Sequence, residues 1–167
     1  FDIIESVGVL HHMDDPSAGW AVLTELLSPS GLRKIGLYSE LARKDIVTIR
    51  EEIAVLGLQG CESDIRGFRH QIAQSTKDHH EQLTLSKDFF SLSELRDAIF
   101  HIQEHRFTIP QLAQCLESLN LQFCGFTPKA LNYELDLYYG GQADCHDLHS
   151  WHQFEVDHPD TFRGMYQ

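Results

Sequence analysis

The chain has 167 residues, 42% of them hydrophobic, and carries a formal net charge of −12. That length suits one globular core. The negative charge disfavours a nucleic-acid partner held through phosphates, and the sequence has neither a stretch long enough to span a membrane nor a signal-peptide pattern. Phe1, Ile3, Ile4, Val7, Val9 and Leu10 form a short apolar, β-branched run that predicts a parallel strand buried on both faces. Asp14 or Asp15 can cap the helix that follows, with Pro16 in its first turn and Trp20, Leu23, Leu26 and Leu27 on one face. Pro29, Ser30 and Gly31 stop that helix, and Leu32, Ile35 and Leu37 predict a second strand, parallel to the first.

The next elements are mostly helical. Leu41, Ile46, Ile49, Ile53 and Leu56 predict a helix over 40–57, and Ile65, Phe68 and Ile72 one over 62–75. The polar stretch STKDHHEQ predicts a loop or a frayed turn. Ser91 with Glu94 has the spacing of a capping box, ahead of a helix with Leu92, Leu95, Ile99 and Ile102 on its buried face. Thr108 with Gln111 repeats that signature, with Pro110 in the first turn and Leu112, Ala113, Leu116 and Leu119 facing inward. Asn120 suits a left-handed helix end. LQFCGF then predicts a strand, 129–138 and 147–156 two helices, and FRGMYQ a last strand. The expected division is a strand–helix–strand segment over 1–39, a helical insert over 40–106, and a carboxyl-terminal part over 107–167.

The run FDIIESVGVLHHMDDPSAGWAVLTELLSPSGLRKIGLYS resembles the later half of an S-adenosylmethionine-dependent methyltransferase with the Rossmann-like fold. The LHH after the first strand and the PSG before the second carry the likeness, the family usually having PGG there. The segments FFSLSELRDAIFHIQEHRFTIPQLAQCLESLNLQFCGF and WHQFEVDHPDTFRGMYQ resemble a bacterial subgroup whose methyltransferase domain often follows tetratricopeptide repeats. The resemblance implies an α/β fold: the carboxyl-terminal part of a doubly wound sheet, with three to four strands and a large helical insert. It also implies S-adenosylmethionine as cofactor and a methyl acceptor whose chemistry the residues do not specify. The family binds its cofactor with a glycine-rich loop after the first strand of its sheet and an acid ending the second. No GxGxG stands in this sequence, so the chain is expected to be a fragment of the domain that binds the cofactor weakly or not at all by itself. Ser6, Val7, Gly8 and His11 match positions where the family touches the methionine moiety or lies near the adenine.

Ligands of open α/β sheets bind beyond the carboxyl ends of the strands. His11, His12 and Tyr38 end the two strands on that edge, and the insert leaves from it. We expect these three to line one pocket, roofed by an insert helix carrying His101 and His105 at i, i+4. His12 is the candidate base if the acceptor must lose a proton, because imidazole as a class titrates near neutral pH. The bland readings are local hydrogen bonding for the histidines and packing for Tyr38. Glu5 must either lie at an exposed margin or be paired. Cys145, His146, His149 and His152 form the best-looking metal cluster, but the resembled family needs no metal, and none is expected. Cys61, Cys115, Cys124 and Cys145 make no CxxC pair, which fits a reducing compartment such as the cytoplasm. An unpaired first-strand edge would favour a homodimer or strand-edge pairing. The competing readings are a non-catalytic interaction module, or degenerate methyltransferase half, and a small zinc protein.

Overall fold

The computed structural model describes residues 1–101 and 103–167. In chain order the elements are β1 (Ile3–Val7), a 3-10 turn (Leu10–His12), α1 (Pro16–Glu25), β2 (Leu32–Gly36) and β3 (Tyr38–Ser39). There follow α2 (Lys44–Leu56), α3 (Glu62–Ala73), α4 (Asp78–Thr84), a 3-10 turn (Lys87–Phe90) and α5 (Leu92–Phe100). The last are β4 (Arg106–Phe107), α6 (Ile109–Ser118), α7 (Ala130–Tyr138) and α8 (Leu148–Asp157). They divide into two compact units, Phe1–Ala42 with Gln103–Gln167, and Arg43–Ile102. The helical insert is thus a few residues shorter at each end than the expected 40–106. None of the described helices is long and apolar enough to cross a membrane.

In the first unit β1 and β2 run parallel, in register from Ile3 opposite Leu32 to Val7 opposite Gly36. A Cβ on Gly36 would meet Val7 Cγ1 at 2.6 Å, so glycine lets the two strand ends close up. The crossover is α1, whose cap is Asp15: its carboxylate accepts from the amides of Ser17 and Ala18. β3 and β4 form a second parallel pair, Tyr38 opposite Arg106 and Ser39 opposite Phe107. The fold is mixed α/β with small parallel sheets.

Several expectations are corrected. β1 is not buried on both faces: Ile3 is 74% and Leu32 61% exposed, because among the described residues β2 is the one strand paired with β1. Glu5 follows from this, standing in solvent with Lys34 of β2 at 3.3 Å. LQFCGF is not a strand. Phe126 is buried and Phe123 packs beside it, but Gly125 at φ +124° bends the run and no neighbour pairs with it among the described residues. Its apolar pattern records burial, not a ladder. FRGMYQ contributes one antiparallel bridge, Tyr166 to Leu37, in place of a strand. STKDHHEQ is not a loop throughout, since α4 begins at Asp78. Its helix is anchored by two buried positions, His80 and Leu83, too few to give an apolar pattern. Ile102, expected on the buried face of α5, lies outside the described residues.

Other local signals hold. Thr108 and Gln111 form both halves of a capping box, and Asn120 takes φ 53° after α6. Ser91 Oγ accepts from the Glu94 amide.

The first unit's core gathers Leu10, Trp20, Leu112, Phe126, Leu135 and Trp151. Trp151 has no exposure, meets the Phe126 ring at 5.3 Å edge-on, and donates from Nε1 to the Cys145 carbonyl at 2.9 Å. In the second unit Ile49, Ile65, Phe68, Ile72, Leu95 and Ile99 make a separate core. Truncating Trp151 to alanine removes both the ring packing and that hydrogen bond. The expected loss is about 3–5 kcal/mol, read as a lower urea midpoint of the far-ultraviolet signal.

Candidate functional site at the strand ends

Because β1 and β2 are parallel, both carboxyl ends lie on one edge of the first unit. The chain leaves β1 through Gly8, which takes φ +75°, a left-handed value that glycine adopts without strain. A Cβ there would meet nothing within 4 Å, so the space over this strand end is open. Beneath it Ser6 is buried. The following 3-10 turn carries His11 and His12, and Tyr38 opens β3 two residues after β2 ends.

The three rings stand together. His11 has no exposure, and its ring centroid lies 4.1 Å from that of His12 and 4.5 Å from that of Tyr38. His12 Nδ1 is 3.2 Å from the Gln103 carbonyl oxygen and its Nε2 is 3.0 Å from His11 Nε2. A carbonyl only accepts, so His12 Nδ1 carries the proton in that bond. Neutral His12 therefore offers its lone pair at Nε2, where His11 Nε2–H donates. Gln103 also donates from Nε2 to the Met13 carbonyl and to Asp14 Oδ1, tying the 3-10 turn to the segment before β4.

His105 reaches this edge, but not from a helix. Helix α5 ends at Phe100, and His101 has extended backbone at φ −67°, ψ 132°, so the expected i, i+4 pairing on one helix face is corrected. The backbone explains it: the His105 amide donates to the His11 carbonyl at 2.8 Å on the way into β4, a bond that a helix over these residues could not make. His101 belongs to the second unit, with Nε2 3.9 Å from Asp97 Oδ1 one helical turn back.

A buried carboxylate holds this edge from behind. Glu155 on α8 has no exposure and accepts from Ser39 Oγ at 2.5 Å and from the Tyr166 hydroxyl at 2.6 and 2.7 Å. Ser39 Oγ in turn accepts from the Ala42 amide. Burial pushes the Glu155 carboxyl above its ordinary range, more than the Ser39 and Tyr166 hydrogen bonds and nearby His152 pull it down. Burial, followed by the Glu155 charge, pushes the Tyr166 phenol up as well. Sequence reasoning missed Glu155, Ser39, Tyr166 and Gln103. The signal for Glu155 was legible: Trp151, Phe154 and Glu155 share one face of α8, so an acid sits on the apolar side.

Cys145, His146, His149 and His152, the best-looking metal cluster in the sequence, do not all come together. Asp144, Cys145 and His146 lie close together, but no metal-sized group of the described residues includes His149 or His152. In the second unit, Glu52 of α2 meets Lys77, His79 and His80. Burial pushes its carboxyl up, but hydrogen bonds from Lys77 and the two histidines outweigh that and hold it at about 2.

No family model matches the chain. It is 28% identical over 183 aligned residues to an uncharacterized protein of Synechococcus sp., covering 98% of this chain and 44% of that protein. Among solved structures it is similar to PKMT2 from Rickettsia typhi, with a TM-score of 0.62 and 15% identity over 94% of this chain and 33% of that one. The chain thus spans less than half the length of each. The structural likeness shows a methyltransferase-like fold.

The Glu155 carboxyl is raised in the folded state, so its contribution to stability is fully present below the unfolded value near 4.5 and is lost as pH rises through the higher folded value. Glu155→Gln keeps the size and cannot ionise. Urea unfolding from pH 4 to pH 8 is expected to show stability falling with pH in the parent chain, and a flatter profile in the variant.

Proposed function

We propose that this chain forms the acceptor side of an S-adenosylmethionine-dependent methyltransferase domain, in which its two parallel strands join a wider Rossmann-like sheet within a longer polypeptide. The observation that carries the reading is the convergence of His11, His12 and Tyr38 at the carboxyl ends of β1 and β2, where such sheets bind ligands. The methyltransferase-like fold supports it, as does the name of the structural neighbour, which is that of a protein lysine methyltransferase.

The residues present fit the cofactor as one wall. The space over Gly8 is open, and the family likeness would set Ser6, Val7, Gly8 and His11 against the methionine moiety or near the adenine. The sequence offers no glycine-rich loop and no matching ribose-binding acid. When bound, S-adenosylmethionine supplies an electrophilic methyl group on a sulfonium. The chain's own residues position the acceptor and exclude water. Gln103 holds His12 in the tautomer whose Nε2 is basic, so an acceptor N–H or O–H that replaces His11 as donor delivers its proton to that atom. Tyr38 packs on the His11 ring, and the His105 amide donates to the His11 carbonyl. The acceptor class stays open on this reading.

Titration calorimetry of this chain with S-adenosylmethionine is expected to give a dissociation constant weaker than about 1 μM, some 8 kcal/mol. Tighter binding would mean that one wall suffices and would overturn the division of labour. In the longer polypeptide, His12→Ala is expected to slow methyl transfer by about 10²–10⁴-fold with cofactor affinity unchanged. An unchanged rate would remove His12 from the chemistry.

One observation favours the second reading, an interaction module. Phe1 and Ile3 are each 74% exposed beside a β1 edge with no further strand among the described residues. Such an edge invites pairing. Light scattering of this chain is expected to show a dimer or larger assembly, reduced by Ile3→Lys. A monodisperse monomer would count against it.

A further inference from the structure

The second unit holds a constellation that methyl transfer does not use. Neighbouring residues on a helix point in directions about 100° apart. His79 and His80 are nevertheless turned onto one carboxylate, His79 Nε2 at 2.9 Å from Glu52 Oε1 and His80 Nε2 at 2.8 Å from Oε2. Their rings meet at 4.5 Å, and the three ligand atoms lie within 4.8 Å of one another. His80 is 4% exposed, so the group is built into the packing between α2 and α4 rather than gathered on the surface.

We propose that Glu52, His79 and His80 form a binding site for a divalent transition-metal ion, zinc foremost, which clamps α2 to α4 within the helical unit. Two imidazoles and one carboxylate are a ligand set that zinc takes, with a fourth position left to water. Tetrahedral bonds of about 2.0–2.1 Å place ligand atoms roughly 3.3 Å apart, so the cluster needs adjustments on the order of 1 Å. Lys77 Nζ now sits 2.7 Å from Glu52 Oε1, but its side chain is 56% exposed and can swing into solvent when the ion replaces it. His80 Nδ1 is buried with no hydrogen-bond partner among the described residues. An outer partner for a ligating histidine is worth about 10–100-fold in affinity, so the site binds more weakly than one whose histidines are both partnered. This inference is independent of the methyltransferase reading.

The test uses the untagged chain, freed of metal by chelation and titrated with zinc against a chromophoric competitor. One equivalent is expected to bind with a dissociation constant of about 1–10 μM. His79→Ala and His80→Ala should each weaken it by about tenfold or more, while Lys77→Ala leaves it equal or tighter. The Cys145→Ala, His146→Ala double variant should keep it, and circular dichroism without metal checks that every variant is folded. Should a histidine variant not fold, Glu52→Gln takes its place. Binding weaker than about 100 μM in the parent chain, or binding lost with Cys145 and His146 and kept without His79 and His80, would overturn the site.

Discussion

A carboxylate with no access to water is costly unless donors meet it, and in the first unit the exit of β2 and the start of β3 lean on one such group. Glu155 takes hydroxyl hydrogen bonds from Ser39 and Tyr166, which come from distant parts of the chain. Ser39 is the residue after Tyr38, so the bond that satisfies Glu155 also fixes the start of β3 and with it the ring that packs on His11. Tyr166 bridges to Leu37 through both backbone groups, so the same carboxylate ties the end of the chain to the exit of β2. An apolar residue in place of Glu155 would leave two hydroxyls without their acceptor, the asymmetry that makes buried polar networks hard to alter singly.

The parallel ladder supplies the other half of the site. It brings two strand ends to one edge, and the 3-10 turn after β1 then places two histidines over it. Gln103 works at both levels. Its carbonyl decides which nitrogen of His12 is basic, and its side chain pins the turn that carries the ring. Together these contacts leave His12 Nε2 as the hydrogen-bond acceptor of the pair, and no GxGxG run stands in the sequence.

The helical unit uses charge differently. Glu155 lies deep among hydroxyls and is pushed toward its neutral form, while Glu52 is ringed by an ammonium and two imidazoles and stays ionised. Two glutamates in one chain therefore sit on opposite sides of the ordinary carboxylate range, each because of its neighbours. Eleven histidines give the chain many such neighbours. His80 shows how a residue read as part of a polar loop becomes a core position once its ring packs edge-on to Phe68.

Local signals in the sequence were enough for the elements whose causes are local. Asp15 with Pro16, Thr108 with Gln111, and Asn120 marked helix ends because a cap is settled by a few adjacent residues. The helices of 44–56 and 62–73 followed from apolar spacing. The edge shared by His11, His12 and Tyr38 was also readable, since a strand–helix–strand crossover carries both ends to the same side. Tertiary structure alone decided the rest. Whether LQFCGF pairs depends on a neighbour that periodicity does not reveal, and whether His105 continues a helix depends on the His11 carbonyl, 94 residues away in the chain but 2.8 Å from its amide. The partners of Glu155 and the convergence on Glu52 are likewise long-range. Hydrogen bonds between distant segments leave no period in a sequence, because each is fixed by where the packed core puts its two ends.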